Sequence, residues 1–242
     1  MSLILATLNI EHGRHLPKLF EFVRQKQPDV LCLQEVFAVD VDSIKAQTGY
    51  IGFFSPTTDV RQNYGYHIDP RGLWGEMILL KNTLAKNSFK EHYYTGSKTN
   101  IPLFTNPESH NHVLQVIEVE KDHKLYIIGN VHFTWSAQGE PTKLQHQHFQ
   151  ALGKYLDRYP KMLLGGDFNA PRGGEIYKLF VSRFIDNLPS TVKTTIDSDF
   201  HYSKSGLKLV VDNIFSTPDY QLSNVEVICG LSDHCAVIGL VK

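Results

Sequence analysis

The chain shows no excess of charge of either sign. Over 242 residues, 24 lysines and arginines face 25 aspartates and glutamates, with 12 histidines besides. Tight, phosphate-gripping nucleic-acid binders carry a basic excess, so that class is disfavoured, although a local basic stripe can hide in a neutral total. Cysteine is scarce. Cys32, Cys229 and Cys235 each sit in or beside an apolar run. This reads as three reduced, buried thiols in a reducing, cytoplasmic compartment. Long apolar runs are missing, so no membrane span is expected. Met1–Thr7 lacks a basic lead and runs straight into Asn9, unlike a cleaved signal. There is no repeat, low-complexity tract or linker, and residues 1–242 read as one domain. No Gly-x-Ser-x-Gly elbow is present, which leaves serine-hydrolase chemistry unsupported. No cysteine pair has zinc-site spacing, and His146 and His148 diverge on a helix. With His110 and His112 they do not read as a zinc site.

What is present is a series of short apolar runs, each ending in polar residues. Leu3–Ile10 and Val30–Val36 read as buried strands, separated by an amphipathic helix over His15–Gln27. A short helix, Val41–Gln47, precedes a weak strand at Ile51–Phe54 and a long polar loop, Ser55–Gly72. Trp74–Leu80 reads as a strand, with Ala85–His92 as its expected partner. Val113–Val119 and Lys124–Val131 form a hairpin turned at Lys121–His123. Pro141–Leu156 is the clearest helix. Lys161–Leu164 is a strand, Glu175–Val181 a short helix, and Lys193–Lys208 another polar segment. Leu209–Phe215, Val225–Ile228 and Ala236–Val241 close the chain as strands. Strands outnumber helices and mostly do not alternate with them, which argues for two packed sheets with helices outside.

The polar residues at the strand ends are of catalytic type. Gly166-Asp167-Phe168-Asn169 presents a carboxylate and an amide from one turn. Ser232-Asp233-His234 sets a carboxylate beside an imidazole. His234 needs a fixed tautomer to take a proton, and Asp212 is the best candidate to orient it. His132 follows an apolar strand as a second acid–base candidate. Glu76, enclosed by Trp74, Met77, Ile78 and Leu79, needs a partner, and a His132–Glu76 pair would repeat the His234–Asp212 arrangement. Glu35, with help from Asn9, Glu11 or Asp233, suits Mg²⁺, which takes few carboxylates and keeps its waters.

Together the stretches Thr7–Glu11, Asp29–Val36, Trp74–Glu76, Gly129–His132, Gly165–Pro171, Val211–Phe215 and Ser232–His234 resemble the endonuclease/exonuclease/phosphatase superfamily, whose fold is like that of pancreatic deoxyribonuclease. The stretches occur in family order along nearly the whole chain. The resemblance implies an α/β four-layered sandwich, with two packed mixed β-sheets flanked by helices and the site at one rim. It implies Glu35 as the principal Mg²⁺ ligand, with Asn9, Glu11 and Asp233 near the ion and Mn²⁺ as a substitute. It makes His234 and Asp212 the base system, with Asp167 and Asn169 positioning water and a phosphate oxygen. His132 backed by Glu76 matches the deoxyribonuclease-like and sphingomyelinase-like branches. The Val211-Asp212-Asn213 block departs from inositol polyphosphate 5-phosphatases.

The expected activity is therefore in-line hydrolysis of a phosphodiester by a monomeric enzyme. Nucleic acid is the first substrate class, with Tyr64, Tyr66, Trp135 and Arg172 as candidates to stack on or steer an exposed strand. Against that, the tyrosines read as loop packing and Trp135 as core. The alternatives are a small or lipid phosphoester and an inactive binding module on the same fold.

Overall fold

The computed structural model describes residues 2–202 and 206–242; Met1 and 203–205, within the polar segment Lys193–Lys208, lie outside the described residues. Among the described residues, twelve strands form two six-stranded sheets. The first takes β1 (Leu3–Asn9), β2 (Val30–Phe37), β3 (Ile51–Val60), β4 (Gly72–Leu80), β11 (Leu222–Ile228) and β12 (Ala236–Val241), in the order β11-β12-β1-β2-β4-β3. The second takes β5 (Ala85–Thr95), β6 (His112–Lys121), β7 (Lys124–His132), β8 (Leu163–Asp167), β9 (Ile185–Asp186) and β10 (Asp212–Ser216), in the order β5-β6-β7-β8-β10-β9. Among the described strands, β1/β2 and β7/β8 pair in parallel and the other pairs run antiparallel. The sheets face each other across an apolar core that includes Leu5, Cys32, Ile78, Ile128 and Ile214. Helices α1 (Leu16–Lys26) and α2 (Val41–Thr48) cover the outer face of the first sheet. Helices α3 (Lys143–Leu156) and α4 (Glu175–Val181) cover the second. The result is the expected four-layered sandwich of two mixed sheets.

Local chemistry explains most boundaries. Helix α3 starts at a capping box, in which Thr142 accepts from the Gln145 amide and Gln145 accepts from Thr142. Helix α2 ends at Gly49 with a φ of 71°, a left-handed value that suits glycine. Asp122 and His123, both at positive φ, make the β6–β7 turn.

Three expectations are corrected. Residues 55–60, expected in a loop, continue β3. Pro56 is tolerated there because β3 is a sheet edge and the ladder bulges between Pro56 and Thr58. Strand β5 pairs with β6 in the second sheet and not with β4, because the chain crosses between the layers after Leu80. The three thiols are not all reduced: Cys229 and Cys235 form a disulfide, since the turn between β11 and β12 brings their Cα atoms to 4.2 Å, while Cys32 stays free and buried. No helix among the described residues is long and apolar enough to cross a membrane.

A buried polar seam joins the sheets just below the rim. The Asn130 side-chain oxygen accepts from Gln34 Nε2 at 2.7 Å, and its amide donates to Gln115 Oε1 at 2.9 Å and Leu33 O at 3.0 Å. Gln115 Nε2 then donates to Ser55 Oγ at 2.7 Å. Groups so far from water must be paired, and the pairing fixes one register between the layers. Replacing Asn130→Leu strands the Gln34 and Gln115 amides. We expect a loss of about 3 kcal/mol in urea unfolding; a loss below about 0.5 kcal/mol, the range of inert surface changes, would contradict the seam's role.

Candidate active site

The two parallel pairs aim four strand ends at one rim. Asn9 ends β1 beside Gln34 of β2, and His132 ends β7 directly opposite Asp167 of β8. Strand β10 runs antiparallel to β8, so its first residue, Asp212, also lies opposite Asp167. Asp233 and His234 come from the turn just before β12. Glu35 reaches this rim by a backbone device. Leu31 and Leu33 pack under the helices, and strict alternation would send Glu35 with them. A bulge between Leu33 and Val36, with Glu35 at a φ of 61°, redirects it.

Asp167, nearly fully buried, is the hub. Its Oδ1 accepts from the Asn169 amide at 2.9 Å. Its Oδ2 accepts from Asn9 Nδ2 at 3.1 Å and lies 3.6 Å from His132 Nε2 and 3.7 Å from His234 Nε2. Asn9 Nδ2 also donates to Glu35 Oε1 at 3.0 Å, and His132 Nε2 is 3.9 Å from that oxygen. His234 Nδ1 sits 2.9 Å from Asp212 Oδ2, as expected for an oriented base. Burial opposes protonation of His234, but Asp212 and Asp167 outweigh it and hold its pKa well above the ordinary value.

The acids expected around a cation are gathered less tightly. Glu35 pairs through Oε2 with His12 Nε2 at 2.9 Å. Burial would raise the Glu35 pKa, but His12, His132 and Asn9 together hold it below the usual carboxylate range. Glu11 pairs with Arg14 at 2.6 Å and His15 at 3.3 Å. Burial pushes Asp233 up to about 7; His234 opposes this, and the like charges of Glu35 and Glu11 add to it. A divalent cation would relieve that repulsion, and carboxylate oxygens are the donors Mg²⁺ prefers, so Glu11, Glu35 and Asp233 fit such an ion. Asn9 also ties these acids together. Its oxygen accepts from the Glu11 amide and its nitrogen bridges Glu35 and Asp167, so it organises the acids. The ligand atoms of Glu11, Glu35 and Asp233 do not all lie within 4.8 Å of one another, whereas those of Asp167, Asp212 and His234 do.

Other expected residues are placed differently. Glu76 is buried at the rim but makes no hydrogen bond to His132, and its Oε2 has no partner. Burial raises its pKa well above the ordinary value, so it stays neutral rather than supporting an imidazolium. The Asn169 side chain donates to Phe133 O at 2.9 Å, which leaves its second N–H to serve a ligand. Arg172 is spent on a bidentate pair with Asp186 and cannot steer a substrate strand. Trp135 is not core: 47% of it is exposed, at the mouth of the site. His146 pairs with Glu175 and His148 with Thr134.

Sequence reading missed His12, Thr195 and Asp197. His12 follows Glu11 and could have been weighed as its neighbour's partner, but its contact with Glu35 depends on a left-handed backbone at Glu11 and His12. Thr195 and Asp197 lie in a segment without periodicity. The Thr195 hydroxyl accepts from the amides of Val211 and Asp212, and Asp197 grips the turn that carries Asp233.

Above the rim opens a pocket of about 390 Å³. Glu35, His132, Asp167 and His234 line it together with the aromatic residues Tyr66, Trp74, Phe104, Trp135 and Tyr202. His110 and His112 line it too, and burial pushes His110 down to about 3, so it is neutral. Arg14 is the only lysine or arginine along its walls among the described residues, and it is paired with Glu11.

Comparison with known proteins agrees with this fold. Among curated proteins none matches the chain in sequence. Solved structures do match in fold. An endonuclease/exonuclease/phosphatase from Bacteroides vulgatus shares 14% identity, with a TM-score of 0.77 over 100% of this chain and 99% of that one. The human Nocturnin catalytic domain, solved with a bound sulfate anion, shares 17% identity, with a TM-score of 0.70 over 100% of this chain and 93% of that one. A mannosyl-6-phosphatase from Bacteroides thetaiotaomicron shares 13% identity, with a TM-score of 0.68 over 100% of both chains. The model of the Endonuclease/Exonuclease/phosphatase family matches residues 6–234, and the chain belongs to that family of phosphoester hydrolases.

Proposed function

We propose that this chain is a divalent-cation-dependent hydrolase of small phosphoesters or of a phosphoester at a chain end. The observation that carries this reading is the pocket above Glu35, Asp167, His132 and His234. Its volume of about 390 Å³ falls in the range of small-ligand sites. A duplex interior needs a long basic groove, and here, among the described residues, the pocket walls offer one paired arginine, in a chain of near-neutral total charge. A terminal nucleotide remains within the class, because Tyr66, Trp135 and Tyr202 offer exposed rings at the mouth. Nucleic acid, the first expectation from sequence, is therefore kept as a substrate at a chain end and, within the chain, set behind the small ester.

A bound divalent ion would neutralise charge on a phosphate oxygen and on the leaving oxygen. Glu35, Glu11 and Asp233 are the residues that would hold it. The rest falls to the chain's own groups. The gap of 3.7 Å between His234 Nε2 and Asp167 Oδ2 suits a water that both contact. His234, oriented by Asp212, takes that water's proton during attack on phosphorus. His132, 3.6 Å from Asp167 on its other flank, donates to a phosphate oxygen, as does the second N–H of Asn169. Asn9 holds Glu35 and Asp167 at the spacing this needs.

With Mg²⁺, purified protein should hydrolyse p-nitrophenyl phosphates, nucleotides or sugar phosphates, lose that activity in EDTA, and leave covalently closed plasmid intact. Plasmid nicking faster than every small ester would contradict the substrate reading. His132→Ala should lower kcat on the best ester by about 10²–10³; a near-parental kcat would remove it from the mechanism. The base must be neutral, and the acids around His234 raise its pKa. Activity should therefore climb as pH rises through that raised value and fall away below it. Asp212→Asn removes one of those charges and the tautomer control. It should shift the limb to lower pH and reduce the plateau on the order of 10⁴-fold. An unmoved limb with full activity would show that His234 acts without Asp212.

A further inference from the structure

The turn between β11 and β12 carries both Asp233 and His234, and a covalent bond closes it. Cys229 follows β11, Cys235 precedes β12, and their disulfide encloses Gly230-Leu231-Ser232-Asp233-His234. A second grip comes from the 195–197 segment. Asp197 Oδ2 accepts from the Gly230 amide at 2.6 Å, the Asp197 amide donates to Asp233 O at 2.8 Å, and the Cys235 amide donates to Thr195 O at 2.7 Å. Ile196 bridges His234 backbone to backbone. Thr195 Oγ1 also accepts from the Asp212 amide at 3.1 Å, so one segment ties the turn to the residue that orients His234. The disulfide is the only covalent member of this clasp. Cys229 is exposed and Cys235 buried, so a soluble thiol has access from one side.

We propose that the Cys229–Cys235 bond is a positioning element for Asp233 and His234, and that opening it with a dithiol lowers turnover reversibly. The thiolate of the dithiol attacks the exposed Cys229 sulfur. The S–S bond breaks, and the Cys235 sulfur leaves with the electron pair and takes a proton. The reductant's second thiol then closes on its own bound sulfur and frees Cys229. Two protein thiols and one cyclic disulfide result, for two electrons and two protons. The hydrogen bonds of Thr195 and Asp197 remain, so the turn loosens but the fold persists. A displacement near 1 Å of a group in direct contact with reacting atoms is costly in rate, while the pocket walls that bind the ester are untouched.

The kinetic arm of the test rests on the hydrolase reading; a structural arm does not. Aerobically purified protein is compared with dithiothreitol-treated and re-oxidised protein. Hydrogen exchange is followed at the Gly230 and Cys235 amides, and Mg²⁺-dependent hydrolysis of bis(p-nitrophenyl) phosphate is followed for kcat and KM. Reduction should speed exchange at both amides and lower kcat about 10-fold with KM within about 2-fold, and re-oxidation should restore both. Cys229→Ser/Cys235→Ser should match the reduced protein and ignore dithiothreitol, while Cys32→Ser should respond like the parent. Three free thiols in the untreated protein would overturn the proposal. So would identical exchange and kcat in both redox states, or an equal response in the double variant. Faster exchange on reduction with no turnover in either state would support the clasp and reject the hydrolase reading.

Discussion

A carboxylate taken out of water needs a counter-charge or a set of donors, and this rim withdraws five: Glu11, Glu35, Asp167, Asp212 and Asp233. An isolated buried charge is so unfavourable that such groups are paired, protonated or bound to metal. Every notable feature of the site answers that demand. His12 faces Glu35, Arg14 and His15 face Glu11, and His234 faces Asp212. Asn9 spends its amide on two acids at once, and the Asn169 backbone amide serves Asp167. Asp233 is the least satisfied, with Ser232 as its one hydrogen-bond donor among the described residues, and burial raises its pKa.

Holding so many acids within reach of one another requires a rigid frame, and the frame is the pair of sheets. Two parallel strand pairs, one per sheet, send their carboxyl ends the same way. The seam of Gln34, Asn130, Gln115 and Ser55 fixes the layers just beneath them. The functional groups therefore stand on strand ends and short turns, and the longer loops only wall the pocket. A rim of this kind keeps catalytic groups in place while the walls are free to differ, which agrees with a shared fold at identities as low as 13% among its structural relatives.

How much of this was legible in the sequence follows from which signals are local. Apolar runs with polar ends marked β1, β2, β7, β8, β10 and β12, and so exposed Asn9, Glu35, His132, Asp167, Asp212 and Asp233–His234. Helix α4 and β12 have the expected bounds because their patterns are short and cleanly terminated. What failed depended on long-range geometry. Strand β3 ran through Pro56 because an edge tolerates it. The partner of β5 was hidden because no local feature says which layer a strand joins. The bulge that turns Glu35 inward, and the left-handed backbone that brings His12 to it, leave no periodic trace. Glu76 was enclosed as expected, but composition could not say that its carboxyl would make no hydrogen bond to His132. The disulfide was missed because an odd cysteine count argues against pairing, while the turn between β11 and β12 decides in its favour.

If Glu11, Glu35 and Asp233 gather to hold a divalent ion beneath the pocket, a crystal soaked in Mn²⁺ should show it directly by anomalous diffraction. A peak is expected within about 2.0–2.3 Å of a Glu35 carboxylate oxygen, with Glu11 or Asp233 beside it. A Mn²⁺ peak bound elsewhere on the protein, with none at Glu35, would contradict it.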